Sequence, residues 1–183
     1  MASEELQQRY PNGKGLKFGD YEVFQCQLTT LNQFAEHGIL PNKDYGALKT
    51  QKCDALVITR EPDLAAIVIG EHKPPGHITA GNWEKLADDL LKTKCHPTGA
   101  AIGYLTDGVS THWINGRADT VIKITREDGK AMPAQVNYTD KAFASELAYI
   151  IHNLDEIHSR TRRQVLAVSS SNRWLVTWIR NGC

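Results

Sequence analysis

The apolar positions of this chain follow two spacings, one typical of strands and one typical of helices. Two short apolar runs stand close together, KCDALVITR at 52–60 and DLAAIVIGEHK at 63–73. Both have the length and the β-branched content of strands, and the turn residues EPD separate them. The pattern therefore predicts an antiparallel β-hairpin.

Helical spacing of apolar residues occurs in three other segments. In the first, Leu28, Leu31, Phe34 and Ala35 form one stripe, and Gly38 is placed to end the helix. The second has Asn82 as its expected N-cap. These predicted helices are FQCQLTTLNQFAEHG, NWEKLADDLLKTK and DKAFASELAYIIHNLDEIHSR.

Further strands are predicted between the second and third helices. AAIGYLT and THWING flank a turn at Asp107 and Gly108. TVIKITR, followed by the turn EDGK, is predicted to add a further strand at the edge of the sheet. The order of elements predicts a single α/β (α+β) domain over residues 1–183, with a central mixed β-sheet flanked by helices. We expect a loose or partly ordered arm at 1–20, a core over about 24–158 and a C-terminal extension at 159–183.

Composition narrows the functional class only slightly. The chain of 183 residues carries 21 basic and 21 acidic side chains, so bulk charge indicates neither a nucleic-acid nor a membrane partner. Its four cysteines have no Cys-x-x-Cys spacing, which disfavours a zinc ribbon. Without a signal-peptide pattern or an apolar run of membrane-spanning length, we expect no membrane partner and an intracellular protein, cytoplasmic or, in a eukaryote, nuclear.

The hairpin carries the candidate chemistry. Asp54 begins one strand, Glu71 and Lys73 end the other, and an antiparallel register brings all three to one edge. Because side chains alternate along a strand, Glu71 and Lys73 share a face and His72 points away as a packed or hydrogen-bonded residue. Two carboxylates suit Mg²⁺, and a lysine suits a phosphate or an attacking water. The alternative interpretation is a surface ion pair.

This pattern, an Asp followed after one hairpin by Glu-x-Lys, resembles the PD-(D/E)XK nuclease superfamily. The stretch IGYLTDGVSTHWING extends the resemblance to the N-terminal nuclease domain of type I restriction motor subunits, over about 36–116. The resemblance implies a restriction-endonuclease-like core and a Mg²⁺-dependent deoxyribonuclease, in which Mn²⁺ can substitute. Asp54, Glu71 and Lys73 would be catalytic, and Asp54, Glu71 and the backbone carbonyl of His72 would bind the metal.

Three departures from the family pattern stand in the sequence. Cys53 occupies the position of the usual proline, and the Gln-x-x-x-Tyr pair is missing from the helix after Lys73, where Lys85 or Asp89 would have to take its place. A phosphate-binding loop of the Gly-x-x-x-x-Gly-Lys-Ser/Thr type is also absent, so the chain is not an ATP-driven translocase.

Several weaker assignments complete the hypothesis of a DNA endonuclease. Glu36 is a further candidate metal ligand, or equally a solvated helix-end residue. Lys49, Lys52 and Lys85 are candidate contacts for a DNA backbone. A homodimer or a larger assembly would be compatible with cutting both strands. Two alternatives stay open: a catalytically inactive nuclease-like module that binds nucleic acid or protein, and an unrelated α/β protein in which Asp54 and Glu71 lie far apart.

Overall fold

A six-stranded mixed β-sheet forms the centre of the computed structural model, which describes residues 3–45, 51–126 and 128–154. The strands lie side by side in chain order. Every neighbouring pair is antiparallel except β4 and β5, which are parallel. The strands are β1 (Leu16–Phe18), β2 (Tyr21–Gln25), β3 (Ala55–Thr59), β4 (Ala65–His72), β5 (Ile102–Thr106) and β6 (Thr111–Asn115).

Helices cover both faces of the sheet. The parallel step from β4 to β5 is made by α3, a π-helical turn and α4, as parallel strands require a crossover. The helical elements are α1 (Glu4–Arg9), α2 (Leu31–Glu36), α3 (Trp83–Leu90), the π-helical turn (Leu91–Cys95), α4 (His96–Thr98) and α5 (Lys141–His152). This confirms the mixed α/β class with a central mixed sheet.

Alternation along the strands produces two cores. Leu56 and Ile69 face one core, into which α1, α2 and α3 also pack, whereas their neighbours Val57 and Val68 face the other, which α5 covers. Because β3 and most of β4 bury both faces, the sequence of β3 and that of β4 as far as Gly70 carry no charged side chain and do not alternate between apolar and polar residues. The hairpin consequently lies at the buried centre of the sheet.

The predicted hairpin of β3 and β4 is confirmed. Leu56 stands opposite Ile69, and Ala55 stands opposite Gly70. One step further, the backbone N–H of Asp54 donates to the carbonyl of Gly70 at 3.1 Å. The register therefore brings Asp54 beside the end of β4.

The N-terminal segment, expected to be a loose or partly ordered arm, carries regular structure. Within residues 3–20 it forms α1 and β1, and Leu6 is buried in the core. Glu5 fixes this helix, because its carboxylate accepts the N–H groups of Gln27 and Leu28 at 3.0 and 2.7 Å.

The first predicted helix begins later than its apolar stripe suggested. Phe24 lies in β2, and Leu28 is 65% exposed in the connecting loop. The helix starts at Leu31, where Thr30 and Gln33 form a reciprocal capping box. It ends at Glu36, and Gly38, which was expected to end it, follows two residues later with a φ of +66°.

Two other local expectations need correction. TVIKITR is not a full strand, because Lys123 forms only an isolated bridge with Ile114. Asn82 precedes α3 without capping it; its side chain instead accepts the N–H of Thr79 and donates to the carbonyl of His77. The third helix, α5, is confirmed with its apolar face buried. The segment 155–183 lies outside the described residues.

Candidate functional site

Asp54 is held at the mouth of the hairpin by backbone contacts. Besides the bond to Gly70, its own carbonyl accepts the N–H of Cys26 at 3.2 Å. Its carboxylate Oδ2 accepts the backbone N–H of His72 at 2.7 Å. The carboxylate of Asp54 is thus tied directly to the end of β4, one residue beyond Glu71.

Glu71 is a buried carboxylate that contacts two lysines. Its side chain is 12% exposed; Oε1 accepts from Lys73, and Oε2 accepts from Lys94 Nζ at 2.5 Å. Burial raises the pKa of Glu71, but the charge of Lys94 and the hydrogen bond from Lys73 outweigh this and lower the pKa below its usual value. Glu71 is therefore ionised at neutral pH.

The two lysines differ in their access to solvent. Lys73 is 25% exposed. Its backbone N–H donates to the carbonyl of Thr106 at 2.8 Å, so the pairing of β4 with β5 continues one residue past the end of β4. Lys94 is 7% exposed and approaches Glu71 from the π-helical turn. Only Lys73 of this pair has substantial access to a ligand from solvent.

Lys94 is a site residue that sequence reasoning missed. The signal was present, because Lys94 follows Leu90 and Leu91 at helical spacing and so falls on the apolar stripe. A lysine on such a stripe requires a buried partner. By contrast Lys85 and Asp89, the candidates considered on this helix, are exposed.

His72 faces away from Glu71, as predicted. Its Nε2 lies 3.1 Å from the hydroxyl of Tyr104, which in turn accepts from the hydroxyl of Tyr138 at 3.3 Å. Burial lowers the pKa of His72, and the charge of Asp54 partly opposes this effect. Its backbone N–H, rather than its imidazole, supports the site by binding Asp54.

The loop after Lys73 is fastened to the β5–β6 turn by Asp107. This carboxylate accepts the backbone N–H groups of Ile78, Val109 and Ser110 at 3.1, 3.0 and 2.8 Å. These bonds, led by that from Ser110, lower the pKa of Asp107 to about 2. The expected turn role of Asp107 is confirmed. A groove of about 230 Å³ lies here, lined in part by His72, Lys73, Pro75, Thr106, Gln135 and Val136.

The other predicted residues lie in different surroundings. Glu36 is exposed at the end of α2 and lines a separate groove of about 350 Å³ with Asn32, Lys43 and Asp44. Lys52 is exposed, with its backbone bridged to Thr30. Lys49 lies outside the described residues.

The donor set at the hairpin fits Mg²⁺ in its chemistry. Mg²⁺ is commonly held by one or two carboxylates and completes its shell with water and substrate phosphate. Asp54, directly before β3, and Glu71, near the end of β4, are two such carboxylates. Across the ranges 3–45, 51–126 and 128–154, no three His, Cys, Asp or Glu side chains group closely enough to hold a metal ion, so Glu36 does not join them as a third ligand.

The backbone of Asp54 lies beside the end of β4 that carries Glu71, and its carboxylate contacts the N–H of His72. Comparison of the chain with protein-family models, with curated proteins and with solved structures found no match. In the part of the chain that the structure describes, no helix is long and apolar enough to cross a membrane.

Proposed function

We propose that this chain is a metal-dependent nuclease that hydrolyses phosphodiester bonds, with DNA as its substrate. The observation that carries the proposal is that Glu71 and Lys73 are in contact at the end of β4 and that the carboxylate of Asp54 is bound to the same strand end through the N–H of His72. Two carboxylates beside a partly exposed lysine form a constellation that can bind a cation and a phosphate together.

Asp54 and Glu71 would hold Mg²⁺, or Mn²⁺ in its place. Bound there, the ion would supply a Lewis acid for the phosphate and would lower the pKa of a coordinated water.

The protein's own groups would orient the reactants. Lys73, which is partly exposed, would hold the attacking water or stabilise negative charge developing on the phosphate. The backbone N–H of His72 keeps the Asp54 carboxylate at the end of β4. Asp107 restrains the loop that follows Lys73, so the lysine leaves the sheet from a fixed position.

The order of elements gives independent support. Helix α2, strands β3 and β4, helix α3 and strand β5 follow one another in the order of the core that the PD-(D/E)XK resemblance implies, with the carboxylates on the hairpin. We extend the proposal to a restriction-endonuclease-like core for that reason. An intracellular location and a homodimer or larger assembly accompany it, since two sites would allow both strands of a duplex to be cut.

A cleavage assay tests the proposal. Plasmid, linear duplex, single-stranded DNA and RNA are incubated with Mg²⁺, Mn²⁺ or EDTA, and the wild type is compared with Lys73→Met. We expect metal-dependent cleavage of DNA that Lys73→Met abolishes. Lys92→Met is the matched control, because Lys92 is exposed on the π-helical turn and pairs with Asp88 instead. Metal-independent cleavage, or full activity in Lys73→Met, would argue against the proposed site.

A second function is favoured by one observation, namely that both oxygens of Glu71 are satisfied by lysines. A nuclease-like module that binds nucleic acid or protein without cutting would have this arrangement as a structural ion cluster. Mn²⁺ titration followed by electron paramagnetic resonance distinguishes the two functions. A nuclease should bind Mn²⁺ at millimolar concentration and lose that binding in Asp54→Asn, whereas a module without a metal site should not bind it.

A further inference from the structure

Lys94 forms the buried side of the candidate site. Its Nζ donates to Glu71 Oε2 at 2.5 Å, while Lys73 contacts the other carboxylate oxygen. The side chain of Lys94 is 7% exposed and that of Lys73 is 25% exposed. The same carboxylate is therefore held by one cation from inside the protein and by a second from the solvent side.

Local structure explains how a helix lysine reaches this strand. The π-helical turn at Leu91–Cys95 inserts an extra residue per turn, a deviation that frequently occurs at functional positions. The turn also lies very close to β5, because a Cβ on Gly103 would stand 2.9 Å from Cys95 Sγ. This close approach carries the ammonium of Lys94 across to Glu71 on the neighbouring strand.

Such a lysine has a cost that a surface position would avoid. Desolvating an ammonium is unfavourable unless a charged partner and hydrogen bonds compensate for it. Lys92, two residues earlier, satisfies its charge in solvent by pairing with Asp88 at 2.7 Å. Lys94 instead places its charge against the Glu71 carboxylate inside the protein.

We infer that Lys94 is a positioning residue of the proposed nuclease site: it fixes the Glu71 carboxylate from the buried side and leaves Lys73 to meet the substrate phosphate. This inference rests on the proposed function, since it assigns separate tasks to the two lysines of the same site. A carboxylate anchored through Oε2 keeps Oε1 in contact with Lys73, the more exposed of the two lysines. Lys94 itself would not touch the substrate.

Steady-state cleavage provides the first test. We compare the wild type, Lys94→Met, Lys94→Gln and the matched control Lys92→Met with a DNA substrate in Mg²⁺. Lys94→Met should lower kcat by about 100-fold, the loss expected when a reacting group is misplaced by about 1 Å, with little change in KM. Lys94→Gln, which keeps a donor, should recover part of kcat, and Lys92→Met should match the wild type. Wild-type kcat in a folded Lys94→Met protein would overturn the inference.

A second test does not depend on activity or on the folding of a variant. The side-chain ammonium groups of ¹⁵N-labelled wild-type protein are observed by NMR, with Lys94 assigned through its own side-chain carbons. Lys94 should give a slowly exchanging signal because it is buried and hydrogen-bonded, and this signal should persist as Mg²⁺ is added, while that of Lys73 shifts. Rapid exchange of the Lys94 ammonium would overturn the inference. So would loss of the Lys94 signal on addition of Mg²⁺ while the Lys73 signal stays unchanged.

Failure of the two proposals can be told apart. If Mg²⁺ changes neither lysine signal and no nucleic acid is cut, the nuclease proposal fails, and with it the assignment of Lys94 to a nuclease site, although a protected signal would still verify the Lys94–Glu71 contact. If DNA is cut in a Lys73-dependent manner and Lys94→Met is fully active, the nuclease stands and Lys94 has only a structural role.

Discussion

Gly70 immediately precedes Glu71, and adding one methyl group there should destabilise the protein strongly. A Cβ on Gly70 would lie 2.0 Å from the Cζ of Tyr104 and 2.2 Å from its hydroxyl oxygen. Ordinary carbon contacts are about 3.5–4.0 Å, so the ring would have to move by about 1.5 Å or more. Tyr104 is fully buried, and its hydroxyl contacts both His72 and Tyr138. The ring therefore has no free space to enter.

The magnitude follows from these contacts. Overpacking a core costs about 1–3 kcal/mol, and each hydrogen bond lost at the Tyr104 hydroxyl costs about 1 kcal/mol more. We expect Gly70→Ala to lower the free energy of unfolding by about 3 kcal/mol. Urea denaturation followed by tryptophan fluorescence measures this, and with a slope of about 2 kcal/mol/M the midpoint should fall by about 1.5 M.

A matched glycine gives the control. Gly81 has no backbone restriction to glycine, and the nearest atom to its added Cβ would be Thr79 Oγ1 at 4.0 Å, so Gly81→Ala should change stability by no more than about 0.5 kcal/mol. In a Tyr104→Leu background, which removes the ring, Gly70→Ala should cost less than about 1 kcal/mol. Equal effects of Gly70→Ala and Gly81→Ala would refute the reasoning, as would an undiminished cost without the ring.

Two further predictions concern charged groups. Because the pKa of Asp107 is lowered to about 2 from an ordinary 3.8, its stabilising contribution should be complete above its unfolded value and should disappear as pH falls toward 2. Urea denaturation at several pH values should show this loss in the wild type and a smaller one in Asp107→Asn; identical profiles would contradict it. Glu71→Gln should destabilise the fold by about 3 kcal/mol, since it leaves the buried charge of Lys94 without a carboxylate. Adding Lys94→Met should recover stability, and a purely additive double variant would contradict the pairing.

The parts of the fold that local pattern determines were predictable. The β3–β4 hairpin follows from two apolar runs around a short turn, and the meeting of Asp54 with the end of β4 follows from its register. The opposite orientation of His72 follows from strand alternation alone. Both inferences depend only on local sequence, namely on one short hairpin and on the alternation of side chains along one strand.

Errors in the predicted elements came from using the apolar periodicity alone, without the residues that mark where an element begins or ends. Leu28 has the right spacing for the helix of Leu31 and Phe34, yet Thr30 and Gln33 form a capping box that marks the true start. That signal is legible in the sequence, so this boundary could have been found. The expected strand TVIKITR reduces to a bridge at Lys123, because its pairing depends on tertiary contacts with β6.

The contribution of Lys94 depends on three-dimensional structure. An unbroken α-helix does not indicate where residue 94 points relative to β4; the π-helical turn and the close packing against Gly103 determine it. Sequence could flag a lysine on an apolar stripe, but not the identity of its partner. The part of the candidate site on the β3–β4 hairpin could thus be predicted from the sequence. The part that Lys94 contributes required the structure.

Asp54→Asn provides the most direct test of the proposed nuclease. The substitution removes the charge of one carboxylate but keeps an oxygen that can accept the N–H of His72, so the fold should persist. The measurement is the rate of supercoiled plasmid cleavage in Mg²⁺ by wild type and Asp54→Asn, with EDTA as the blank. We predict cleavage by the wild type in Mg²⁺ only, and a rate at least about 100-fold lower for the folded variant. Equal rates for the two proteins, or no cleavage by the wild type, would contradict the account.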